Sequence, residues 1–185
     1  MIRLIGPGGA GKTTTGSLLA ERLDLPFRDL DAEFAARLGD IDEYIATSGY
    51  QSYARANVET YASVVRDGSP TVLALSSGFM TYPLEVHPTY AAMRHEIARN
   101  PTTFVLLPSL DLETCVAETV RRQMGRSITR RLASQEASVI RERFAIYVSL
   151  PAQKVETMRA PPDVAAEIVD RLWIVMQQRP PATVG

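Results

Sequence analysis

Residues 6–14 read Gly6-Pro7-Gly8-Gly9-Ala10-Gly11-Lys12-Thr13-Thr14. They fit G-x-x-x-x-G-K-[ST], with Gly6, Gly11, Lys12 and Thr13 in the fixed positions. The chemistry is capture of phosphate. Glycines let the chain turn through conformations that a Cβ blocks, so the N–H groups of Gly8, Gly9, Ala10 and Gly11 can point inward at a phosphate. Lys12 brings a full positive charge within reach of the outer phosphates, and the Thr13 hydroxyl can ligate Mg²⁺. A helix opening at Thr13 and Thr14 aims its positive end at the same place.

A second group of chemical interest follows at Asp29 and Asp31. Two apart in an extended segment, their carboxylates would face one side. At the C-terminal edge of a parallel sheet they would border the phosphate site, where they suit Mg²⁺ positioning and abstraction of a hydroxyl proton. Asp31 also stands where a helix N-cap would, ahead of Ala32 to Ala36. The third group is basic: Arg121, Arg122, Arg126, Arg130 and Arg131, with Gly125 and Ser127 among them. Guanidinium forks bind phosphate oxygens bidentately, and a mobile basic loop beside a nucleotide reads as a lid over about 122–134.

The elements that must position these groups are legible in outline. Met1 to Ile5 is a short apolar run suited to a buried strand, and Thr13 to Leu23 carries Leu18, Leu19, Ala20 and Leu23 at helical spacing. Pro26 ends that helix, and Phe27 to Leu30 reads as a second strand. Residues 32–66 are expected to be helical, with breaks at Gly39 and Gly49; Arg55 there is either a substrate contact or a solvated helix residue. Thr71 to Leu75 predicts a third strand, ending in the small residues Ser76-Ser77-Gly78, where a ligand can approach closely or the chain simply turns. Further strands are expected at Thr102 to Leu107 and Lys154 to Thr157. Helices are expected over Tyr90 to Ala98, Asp111 to Arg122, Gln135 to Leu150 and from Pro161-Pro162 onward. Strands alternating with helices predict an α/β fold: a five-stranded parallel sheet with helices on both faces. One domain over 1–178 is expected, with 179–185 as a flexible tail.

Composition narrows the function. The 185 residues are 45% hydrophobic and 22% charged, with a formal net charge of -1. That balance is ordinary for a soluble globular protein and gives no basic surface for nucleic acid. One cysteine, Cys115, leaves no internal disulfide and no cysteine-based metal site. His87 and His95 lack partners at metal-ligand spacing. No apolar run is long enough to span a membrane, and the phosphate loop starts too early for a leader to precede it. A cytoplasmic protein is expected, acting as a monomer on a small molecule.

The ordered set of motifs resembles the shikimate kinase family, small P-loop kinases of three-layer α/β/α architecture with a lid. The resemblance rests on Gly6-x4-Gly11-Lys12-Thr13, Phe27-x-Asp29-x-Asp31, the Gly49 helix, Ser76-Ser77-Gly78, the arginine lid and Arg143-x-x-x-Tyr147. It implies ATP and Mg²⁺ as cofactors and a small hydroxylated acid as acceptor, with shikimate the leading candidate. It further implies that Asp29 helps to hold Mg²⁺ beside Thr13, and that Asp31 binds substrate hydroxyls and acts as base. Arg143 would pair with the substrate carboxylate, near Gly78. Arg126 would close over the transferring phosphate as a catalytic lid residue. Arg121 or Arg122 would stack on adenine, with Pro161 and Pro162 as the opposite wall.

The chain departs from the family pattern on the acceptor side. Where Phe-Arg-x-x-Glu is usual, Tyr53-Ala54-Arg55-Ala56-Asn57 stands, so the carboxylate-gripping arginine is alanine and its orienting acid is asparagine. Arg55 is adjacent but rotated about 100° around the helix. A usual triple glycine is Ser76-Ser77-Gly78. Kinase chemistry on a different hydroxylated acid or polyol therefore stays open, as does a nucleotide-binding module without catalysis.

Overall fold

The computed structural model describes residues 1–125 and 133–177. The first helix begins at the phosphate loop's lysine: α1 spans Lys12–Leu23, and the loop at 6–11 joins it to strand β1, Ile2–Ile5. All four residues of β1 are buried, as a strand covered on both faces must be. The other strands are β2 (Phe27–Asp29), β3 (Val72–Ala74), β4 (Thr103–Leu107) and β5 (Gln153–Glu156). They form one parallel sheet in the order β2-β3-β1-β4-β5. β1 is central, pairing Leu4 with Ala74 on one side and with Phe104 on the other.

Alternate residues of these strands feed two cores. Leu4, Val72, Phe104 and Leu106 pack with Leu19 of α1 and with Val164 and Ile168 of α8 (Pro161–Gln177). Ile5, Leu73, Val105 and Leu107 face the opposite core. There they meet Phe34 of α2 (Leu30–Leu38), Val58 and Tyr61 of α4 (Tyr50–Val64), and Tyr147 of α7 (Ala133–Ser149). Short α3 (Ile41–Ser48) lies between α2 and α4; α5 (Tyr90–Arg99) and α6 (Leu112–Met124) complete the set. Two single-turn 3₁₀ segments, Phe79–Thr81 and Leu84–Val86, occupy the stretch ahead of α5. Among the described residues no helix is long and apolar enough to cross a membrane.

Three local expectations are corrected. The second strand stops at Asp29 instead of running to Leu30, because Asp29 caps α2: its Oδ1 accepts from the Asp31 N–H at 3.0 Å. Asp31 is therefore a first-turn helix residue, and Asp29, two residues earlier, is the cap. The helices reach further into the basic segment than a lid over 122–134 allows: α6 continues to Met124 and α7 begins at Ala133. Arg126, Arg130 and Arg131, and the tail at 179–185, lie outside the described residues. The breaks at Gly39 and Gly49 are where expected; Gly49, at φ 83, is in backbone space that side chains disfavour and turns the chain from α3 into α4.

Candidate active site

The phosphate loop, the end of β2 and the end of β3 meet at one sheet edge. They enclose a cleft of about 790 Å³, lined by Lys12, Thr13, Asp29, Asp31, Ser77 and Gln123 among others. Gly8, Gly9 and Gly11 line it too, and Ala10 is fully buried beneath. The Lys12 ammonium lies back over its own loop, donating to the carbonyls of Gly6 at 2.8 Å and Pro7 at 2.9 Å. The Thr13 hydroxyl donates to Asp29 Oδ2 at 2.7 Å. Two hard oxygens side by side at a phosphate loop suit Mg²⁺, which takes few protein ligands and keeps water and phosphate oxygens. Among the described residues no group of three or more His, Cys, Asp or Glu side chains could hold a metal by itself.

Asp29 thus has one oxygen on α2's first turn and the other on Thr13. Asp31, one step along, has a buried Oδ1 with no hydrogen-bond partner. Burial is the main cause pushing its carboxyl above the ordinary aspartate range; the neighbouring Asp29 adds to it, while the Ser76 hydroxyl and Lys12 oppose it. A carboxylate left short of partners at the mouth of a phosphate loop is suited to accept a hydroxyl proton.

On the other side of the loop a smaller cavity of about 360 Å³ is lined by Gly9, Gly11, Thr14, Arg122, Thr157 and Pro161, with others. Arg122 is locked in place. Its Nη1 donates to Gly9 O at 3.3 Å and Thr157 Oγ1 at 3.1 Å, its Nη2 to Thr157 O at 2.8 Å, and its Nε to Glu118 Oε1 at 2.6 Å. Arg121 instead projects outward, its side chain 71% exposed, and donates to both Glu118 oxygens at 2.7 Å, sharing Oε1 with Arg122. Pro161 lines the cavity and its neighbour Pro162 is exposed. Thr157 has no sequence signal, since a lone threonine after a strand looks like any other.

Hydrogen bonds from Arg121, and then from Arg122, hold the Glu118 carboxyl down at about 2. A folded-state pKa depressed below the usual glutamate value contributes stability that is present above that value and lost as pH falls through about 2. Replacing Glu118 by Gln is expected to cost about 1–2 kcal/mol at neutral pH. The difference in Tm from the parent protein should shrink in acid, and nucleotide affinity should fall as Arg122 loosens. Thermal unfolding across pH 2–7 and nucleotide titration check both.

Across the cleft stand the residues that the resemblance assigns to the acceptor. Arg143 Nη1 donates to Ser77 Oγ at 3.3 Å and its Nη2 to Tyr50 Oη at 3.3 Å. Gly78 lies beneath them. The Tyr147 hydroxyl donates to the Ser77 carbonyl at 2.9 Å. Asn57, fully buried, donates from Nδ2 to Ser76 Oγ at 3.0 Å and accepts from the Tyr82 hydroxyl at 3.2 Å. Ala54 is buried on the same face of α4. Arg55 is not brought to the cleft: it is 63% exposed and pairs with Glu59 at 3.5 Å, as a residue one step round the helix should be. Tyr50, Tyr53 and Tyr82 pack together here, and their only sequence signal is the 50/54/57 spacing that puts Tyr50 on the face of Ala54 and Asn57.

The comparisons with known proteins agree with this geometry. A family model described as Shikimate kinase matches residues 8–173. A shikimate kinase of Thermobifida fusca is 30% identical over 168 residues, 90% of each chain. Among solved structures, the shikimate kinase of Bacteroides thetaiotaomicron superposes with a TM-score of 0.70 at 20% identity, covering 95% of this chain and 97% of that one. That of Acinetobacter baumannii, in complex with shikimate, does so at 0.67 and 23%, covering 96% and 94%. With a phosphate loop, a capping Asp29 and a buried Asp31 at one sheet edge, and a match over nearly its whole length, this chain belongs to the shikimate kinase family, phosphotransferases acting on an alcohol group.

Proposed function

We propose that this protein transfers the γ-phosphoryl group of ATP, with Mg²⁺, to a hydroxyl of a small hydroxylated carboxylic acid, with shikimate the leading acceptor. The observation that carries the reading is the buried, unpartnered Asp31 Oδ1 beside the phosphate loop. The acceptor's O–H donates to it. As the new O–P bond forms, that proton passes to the carboxylate, whose raised pKa favours taking it, and the bond from γ-phosphorus to the bridging oxygen of ADP breaks. Lys12 exchanges the Gly6 and Pro7 carbonyls for the outer phosphates. The N–H groups of Gly8 to Gly11 cradle them, with Thr14 close by, and Thr13 and Asp29 would hold the metal. Mg²⁺, when bound, neutralises charge on the phosphates. Arg122 and Pro161 supply the walls for adenine, Arg143 takes the acceptor's carboxylate, and Arg126 serves as the lid arginine.

Purified protein with ATP, Mg²⁺ and shikimate should release ADP in a coupled assay. A flat trace with shikimate alongside turnover of another cyclic acid or polyol would move the acceptor. Ala54 and the Ser76–Asn57 pair are what favour that second reading. No ADP release with any acceptor would leave only nucleotide binding.

A further inference from the structure

Tyr50, the first residue of α4, has no part in the phosphoryl transfer described above. Its ring leans on Tyr53, with centroids 5.8 Å apart, and on Tyr82, at 6.1 Å. Phenylalanine would make those contacts equally well. What the ring alone does not explain is its hydroxyl, which accepts from Arg143 Nη2 at 3.3 Å. Both groups crowd over Gly78: a Cβ there would come within 2.8 Å of Tyr50 Oη and 3.1 Å of Arg143 Nη2. The same arginine's other arm meets Ser77 Oγ, and Ser77 lines the cleft that holds Asp31.

Tyr50 stands one helical turn before Ala54, on the same face. Ala54 is buried and ends at a methyl group, so α4 sends no cation toward Arg143 from this face. Tyr50 Oη accepts from Arg143 and keeps its own proton to donate. Two donors, a guanidinium arm and a phenol O–H, then lie side by side over a backbone that only glycine leaves open. That is the geometry of a clamp for the two oxygens of a carboxylate.

We propose that Tyr50 is a specificity-determining residue, whose O–H joins the Arg143 guanidinium in holding the carboxylate of the acceptor. This rests on the acceptor class proposed above. The clamp works on binding and not on the moving phosphoryl group, so its loss appears in KM for the acceptor.

The test is Tyr50→Phe, assayed with shikimate and with a cyclic triol analogue that lacks the carboxylate. The expected result is a rise in KM for shikimate of about 10-fold to 50-fold, for loss of a hydrogen bond to a charged group. kcat should stay within about twofold and KM for ATP should not move, while the triol's KM is the same for both proteins. An unchanged shikimate KM, a loss confined to kcat, or an equal rise with the triol overturns the assignment. Should the parent protein turn over shikimate while Tyr50→Phe matches it, the function stands and the tyrosine's role falls. A parent protein active only on carboxylate-free acceptors would overturn both.

Discussion

Replacing Asp31 by Asn is expected to lower kcat by about 10²-fold to 10⁴-fold, the usual worth of a positioned general base. ATP affinity should stay near that of the parent protein. The two shapes are nearly identical, and the backbone role of residue 31 survives, because the bond to Asp29 Oδ1 comes from its N–H and not from its side chain. What changes is the ability to take a proton. Asp31 Oδ1 is buried and unpartnered, and burial beside Asp29 already raises the carboxyl's pKa. An amide there can still accept a hydrogen bond from the acceptor hydroxyl, so acceptor KM should change little. Single-turnover phosphoryl transfer and nucleotide titration separate the two effects. Turnover within tenfold of the parent would count against Asp31 as the base.

The second large effect concerns the loop's entrance. Gly6 has φ +146, and a Cβ built on it would lie 2.2 Å from the carbonyl oxygen of Leu106. That oxygen belongs to β4, which is hydrogen-bonded to β1 through Ile5 and Val105 and to β5 through Leu106 and Val155. Neither strand can retreat without breaking a ladder at the centre of the sheet. Gly6→Ala therefore combines backbone strain, about 1–3 kcal/mol, with an overpacking cost of about 1–3 kcal/mol. A Tm lower by roughly 5–15 °C follows for a chain of this size. Any folded fraction should bind ATP poorly, since relief comes from shifting the backbone of the loop whose N–H groups cradle the phosphates. Thermal unfolding with and without ATP and Mg²⁺ measures both; a variant with parental Tm and affinity would show that the sheet can yield at this point.

The parts of the protein written locally were readable from sequence. Strand, glycine loop and helix around Lys12 follow from neighbours in the chain, as do the helix breaks at Gly39 and Gly49. Asp29 and Asp31 were recognisable as a pair, but their geometry was not. An alternating strand would set the two carboxylates alike, whereas a cap at Asp29 turns the chain into α2 and gives each a separate task. The two neighbouring arginines looked equivalent; packing separates them, since only Arg122 meets Gly9 and Thr157 from distant parts of the chain. Tyr50, Tyr82 and Asn57 form contacts across 25 residues or more of sequence, which no local pattern encodes.

The strand order has a consequence for how such a protein can change. β1 divides the sheet. The smaller cavity is lined from α6, the end of β5 and the start of α8, while Asp29, Asp31, Asn57, Ser76 and Ser77 belong to β2, α2, α4 and the end of β3. The two sets meet at the phosphate loop and at Gln123 of α6, which lines the larger cleft with Asp31 and Ser77. Substitutions in α4 and at the end of β3 therefore fall outside the walls of the smaller cavity. Ala54, Asn57, Ser76 and Ser77 are such positions: changes there reshape the larger cleft's side of the sheet and leave the smaller cavity's lining as it is.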